Sequence, residues 1–169
     1  MKDVYFFNAA ALAKELKDGK LSELRAVKHM AIVLMLGGLG LGFPVNIQYG
    51  EETISLFNRS LWYFFVLVCA MITYYGVWWA HQVNSKGDAK DFFLRFAVLS
   101  LPVGIQVTAL FIVIGAAFAI TSPLIFFSLG RTGSMLATIF YWVLEIAFII
   151  TFFIRMLKYI SMAASANEA

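Results

Sequence analysis

Glu145 is the one charged side chain in the apolar stretch 136–154, and it stands at the centre of that stretch. Thr138, Tyr141 and Trp142 precede it at helical intervals, so all four residues share one face of a helix. A charged carboxylate at mid-membrane costs about 2.5–3.5 kcal/mol on insertion scales. A neutral carboxyl group with a hydrogen-bond partner avoids most of that cost. Glu145 is therefore expected to be neutral and paired. Gln106, with Thr108 nearby, lies near the middle of a second apolar run, 96–120. Counting helical rise from the ends of the two runs places Gln106 opposite Glu145.

Three kinds of chemistry fit this pair. The two groups can act as hydrogen-bonded glue between helices, worth about 0.6–2 kcal/mol. They can form the end of a polar half-channel that begins at Thr138 and closes on Phe148, Ile149 and Phe152, in the manner of a hydrophobic gate. Glu145 can also pair with a basic residue of another protein.

Other chemistry is thinly represented. The chain has two histidines and one cysteine. His81 precedes Gln82, Asn84, Asp88 and Asp91, which leaves a small place for an interfacial enzyme acting on lipid. No HExxH spacing or other metal-ligand pattern accompanies it. Cys69 lies in an apolar run without a CxxC partner. The "NSKGDAKD" segment lacks the glycine pattern of a phosphate loop. The "GRTG" segment at 130–133 reads as a tight turn, with anion binding at a helix start as the alternative. The expectation is a non-enzyme with no metal and no cofactor.

The elements that must position Glu145 follow from composition. The chain is 169 residues long, 62% hydrophobic and 14% charged, whereas soluble domains are about 45–50% apolar and 25% charged. Lipid, not water, is the solvent for such a chain. Met1 is followed by a mixed-charge stretch instead of a cleavable leader, so the first apolar run is expected to remain. Four runs, 30–47, 61–83, 96–120 and 136–160, approach or exceed the roughly 20 residues that span a hydrocarbon core. Each must be helical to satisfy its own backbone. The expected fold is thus all-α, an integral-membrane bundle of four transmembrane helices spanning 30–160. Residues 1–29 precede it as a basic region on the cytoplasmic face, and 161–169 follow it as a short cytoplasmic tail.

Orientation follows from the cations. Eleven of the thirteen Lys and Arg residues fall in the N-terminal region, the loop at 84–95 or the C-terminal end, leaving Arg59 and Arg131 for the other side. The positive-inside rule then places both termini in the cytoplasm, with the bacterial inner membrane as the expected location. Trp62 and Trp79 mark the two ends of the second run as aromatic belts. The basic residues alternate with Glu15, Asp18 and Glu23 and form no dense tract, which argues against nucleic acid as a partner.

Upstream of the first run, Phe6, Ala9, Ala13 and Leu16 recur at helical spacing. They predict an amphipathic helix lying on the inner leaflet, with a partner-binding surface as the alternative, stopped at Gly19 and followed by a second helix capped by Ser22. Pro123 is expected to end the third helix, leaving 124–127 outside any span, and Pro102 to kink it. Gly38 and Gly42, in GxxxG spacing, and Ser100 and Gly104 supply small faces for close helix packing.

A unit this small has little room for a cavity of its own, so a homo-oligomer in the bilayer is expected. The leading reading is a channel-like or ion- and proton-responsive membrane protein centred on Glu145 and Gln106. The alternative is a membrane anchor, sensor or accessory subunit that docks a cytoplasmic protein through Lys14, Lys17, Arg25, Lys28, Lys86, Lys90 and Arg95.

Overall fold

The computed structural model describes residues 4–36, 56–126 and 130–165. Among the described residues there are five helices and no strand: α1 (Ala9–Lys17), α2 (Glu23–Leu36), α3 (Leu56–Lys86), α4 (Phe92–Phe126) and α5 (Gly130–Ala164). Three helical segments are long and apolar enough to cross a membrane: Ser60–Lys86, Phe92–Thr121 and Leu136–Ala164. They correspond to the second, third and fourth predicted spans. The first predicted span, 30–47, overlaps the end of α2 and otherwise lies outside the described residues, as do Gly38 and Gly42.

Helix α5 lies between α3 and α4, which meet each other only sparsely. Its register with α3 can be read from three contacts. The Phe65 and Trp142 rings stack at 5.0 Å. A Cβ added to Gly76 would meet the Phe153 ring, and one added to Gly87 would meet Ala164. Each of these pairs is 77 positions apart, so the two helices run parallel without slippage. Helix α4 runs the other way. Phe118 contacts the Phe140 and Tyr141 rings, Phe111 contacts Phe148 at 5.3 Å, and Gln106 meets Arg155.

The packed core is confined to one end of this layer, here called the basic end, where α3 stops and α4 begins. Its members are Ala80 of α3, Val98, Leu99, Val103 and Val107 of α4, and Met156, Ile160 and Ala163 of α5. Ala9, Leu12 and Ala13 of α1 and Ala26 of α2 complete it. The opposite half of the layer leaves its large apolar side chains exposed, among them Trp62, Tyr63 and Phe64 of α3 and Ile112, Val113 and Ile120 of α4. Such an exposed apolar band has lipid as its natural solvent.

Local chemistry explains the element ends. Asn8 caps α1 by accepting the Ala11 amide at 3.0 Å, and Gly19 adopts a left-handed φ of +64° just beyond the helix, the conformation glycine accommodates freely. The Ser22 carbonyl accepts from the Arg25 and Ala26 amides at 3.0 and 3.1 Å as α2 begins.

Three sequence expectations change here. The apolar stripe of α1 packs on α4 and α5 instead of facing a leaflet, because Ala9 and Ala13 are small enough for close backbone approach. Helix α4 continues through Pro102 and Pro123 to Phe126, so 124–126 are helical. A lost amide costs less than unsatisfied backbone in an apolar setting. Gly104 has nothing within 4 Å of where a Cβ would stand, and the close helix contact is at Gly76 instead. Ser100 turns its hydroxyl back onto the Ala97 carbonyl at 2.7 Å.

Gly76→Leu is expected to destabilise the protein by about 1–3 kcal/mol through overpacking against Phe153. Gly104→Ala should stay within about 1 kcal/mol of the parent. Thermal unfolding of the two variants in the same detergent compares them directly.

Candidate functional site

The α5 frame places Glu145 between the Phe111–Phe148 and Phe118–Tyr141 ring pairs, near the level of Ile114 on α4. The parallel register with α3 sets it beside Val68 and Cys69, and Cys69 lies within its electrostatic reach. Trp62 and Trp79 bracket that level on α3, so Glu145 sits near the middle of the apolar band. It is half-buried, and among the described residues it has no hydrogen-bond or ion-pair partner.

Gln106 is not opposite Glu145. Its side-chain amide donates to the Phe7 carbonyl, and its Oε1 accepts from Arg155 Nη1 at 2.7 Å. It therefore sits about 12 Å along the helix axis from the Glu145 level. Aligning the two runs by their centres gives the wrong offset, because the ring contacts set the register of α4 against α5 and bring Ile114, eight positions beyond Gln106, to the Glu145 level. Thr108 is half-buried on the same turn region.

The expected stripe on α5 is divided between two neighbours. Trp142 stacks on Phe65 of α3, whereas Tyr141 turns its ring edge-on to Phe118 of α4. Thr138 is half-buried. The face running down to Glu145 thus has aromatic rings on both flanks.

Sequence reasoning did not foresee the polar collar at the basic end. The N-terminal strap, residues 4–8, is tied to α2 and α4 as well as to α1. Tyr5 donates its amide to His29 Nε2 at 3.1 Å and its hydroxyl to Glu15 Oε1 at 2.7 Å. His29 is fully buried, and its Nδ1 lies 2.8 Å from the Arg25 carbonyl. A carbonyl can only accept and an amide can only donate, so this arrangement requires the neutral tautomer protonated on Nδ1. Arg25 pairs with Glu15 at 2.9 Å and lies 5.4 Å over the Tyr5 ring. The strap residues are 10 to 24 positions from these partners in sequence, so no local pattern announced the contacts.

A second cluster closes the turn between α3 and α4. Arg95, almost fully buried, donates to both Asp88 oxygens at 2.5 and 2.6 Å and to Asn84 Oδ1 at 2.9 Å. Buried Asn84 donates to the Lys90 carbonyl at 3.2 Å, and the Asp88 amide donates to the Ala164 carbonyl at 3.0 Å. The turn holds Ala89 and Asp91 at φ of 56° and 43°, a conformation costing non-glycine residues about 1–2 kcal/mol each. The bidentate pair and its neighbours offset that strain.

These networks correct part of the docking set. Arg25 and Arg95 are engaged inside the chain, while Lys14, Lys28, Lys86 and Lys90 remain exposed and Lys17 is half-buried. His81 meets the Phe92 ring edge-on at 5.1 Å, and its possible partner Asp88 is committed to Arg95. Among the described residues, no group of His, Cys, Asp and Glu is arranged to hold a metal. Two clefts, of about 290 and 180 Å³, lie where the end of α1, the turn after it and α2 approach Leu94, and Glu145 lines neither.

No protein-family model matches the sequence, and no curated protein or solved structure matches it either.

The hydrogen bonds from Arg95 hold the Asp88 carboxyl at about 2, below its ordinary 3.8. A depressed carboxyl stabilises the fold above its unfolded value and loses that contribution as pH falls through its folded value. The wild type should therefore lose stability between pH 3.8 and about 2. Asp88→Asn should lower stability by about 1–2 kcal/mol at neutral pH and flatten that acid limb, as read from unfolding midpoints across a pH series.

Proposed function

We propose that this chain is a small integral membrane protein that works in an assembly and uses Glu145 as a proton- or cation-responsive group in the middle of the bilayer. The observation that carries the reading is the setting of Glu145. It is half-buried at mid-band, and the amide expected to satisfy it is bound to Arg155 and Phe7 instead. A carboxyl group in hydrocarbon without a partner is costly. Beyond the described residues, water, a cation, the first span or a neighbouring chain can supply that partner. The apolar half of the layer, exposed among the described residues, supports packing with the first span and with further copies, because helix faces in a bilayer associate through close packing.

The cation distribution supports an orientation with both termini in the cytoplasm and the basic end at the inner surface, as in a bacterial inner-membrane protein. Four spans remain the reading, with 30–47 supplying the first. A role as an accessory subunit docking a cytoplasmic protein rests on the exposed Lys14, Lys28, Lys86 and Lys90 at that end. The internal pairing of Arg25 and Arg95 leaves that surface with fewer available cations.

Reconstitution in liposomes, with proton and cation flux measured for the parent and Glu145→Gln, tests the leading reading. The parent should conduct, and the variant should lose at least about tenfold in flux or change its pH dependence while keeping its oligomeric state. Absence of flux from the parent, or identical flux from both, would remove Glu145 from any transport role.

A further inference from the structure

The described arginines differ in one respect. Arg25 has Glu15 and Arg95 has Asp88, whereas Arg155 has no carboxylate among the described residues. Glu145, on the same helix, is about 15 Å away along the axis and cannot reach it. Among the described residues, the one hydrogen bond Arg155 makes is to the side-chain oxygen of Gln106, at 2.7 Å. Gln106 is itself held from its other end by the Phe7 carbonyl. The N-terminal strap thus fixes the amide, and the amide fixes the guanidinium, leaving most of its five N–H donors without a partner among the described residues.

Depth identifies what those donors can bind. The parallel register of α3 and α5 puts Arg155 level with Trp78 and Trp79. Both indoles are about half exposed, at 48% and 57%, as is typical of a belt at the membrane–water interface. Lys158 follows one turn later on the same face of α5, exposed, with its ammonium 5.9 Å from the Tyr159 ring. A planar fork and a point cation at headgroup depth match a phosphate: the fork binds two oxygens and the ammonium adds charge.

We infer that Arg155, oriented by Gln106 and assisted by Lys158, binds the phosphate of an anionic phospholipid in the leaflet at the basic end. Zwitterionic lipids are weaker ligands because their own ammonium competes for the phosphate. The N-terminal strap thereby becomes part of a lipid site, since its Phe7 carbonyl anchors the residue that aims the guanidinium.

The full-length protein in vesicles of phosphatidylcholine mixed with phosphatidylglycerol provides the test, with lipid retained after detergent extraction quantified by mass spectrometry. The parent should retain phosphatidylglycerol in preference to phosphatidylcholine. Arg155→Gln, which keeps a polar group for Gln106, should cut that preference by about tenfold. Lys158→Gln should cut it about two- to fivefold, and Lys20→Gln, a change at an exposed residue paired with Asp18, should leave it unchanged. If Arg155→Gln does not insert, Lys158→Gln alone decides. An unchanged preference in the inserted variants overturns the assignment. Displacement of the retained lipid by inorganic phosphate would mark a site for a soluble anion and overturn it equally.

Discussion

Close approach along one side of α5 organises this protein. Phe153 occupies the space that Gly76 leaves on α3, and Ala164 packs against Gly87 at the end of the same seam. Neither contact survives a side chain at the glycine, so together they hold α3 and α5 parallel at one offset. Once that register is set, the turn after α3 is delivered to the end of α5, where the Ala164 carbonyl accepts the Asp88 amide. Arg95 can then reach Asp88 and Asn84, which starts α4 in the opposite direction. The antiparallel register that brings Gln106 to Arg155 is a consequence of that start.

The molecule is consequently uneven along its length. At the basic end, five helices share one core with two hydrogen-bonded polar clusters and a strap tied down by His29, Glu15 and Gln106. At the other end the described parts of three helices touch mainly through ring pairs, and their outward faces carry exposed apolar side chains. The division has a physical logic. Near the membrane surface, charges and amides can be paired and partly solvated, so networks of Arg, Asp and Asn stabilise there. Within hydrocarbon there is no hydrophobic drive between helices, so shape and aromatic contact must suffice. Glu145 is the polar group on the wrong side of this division.

Three helices long and apolar enough to cross a membrane were legible in the chain, because long uncharged runs admit one backbone solution in lipid. The stop at Gly19 and the start after Ser22 were legible for equally local reasons. The docking of α1 was half legible: periodicity identified its apolar stripe, but an apolar stripe fits a leaflet and a protein surface alike. The place of Gln106 was not legible, because depth counted within each run says nothing of the register between helices, which ring contacts and the Gln106–Arg155 bond fix.

Sequence alone therefore determined which segments are helical and apolar, where the cations gather, and that one carboxyl group must reside in the apolar band. Those properties depend on residue type and on neighbours a few positions away. Tertiary structure decided which groups satisfy one another: Gln106 with Arg155 and Phe7, Tyr5 with His29 and Glu15, Arg95 with Asp88 and Asn84. Pairing across helices depends on register, and register here follows from close contact at two glycines whose partners lie 77 positions away. Local pattern carries no information over that distance. Glu145 was visible as a singular residue from the start, but that Gln106 does not satisfy it emerged only from the bonds of that amide to Phe7 and Arg155.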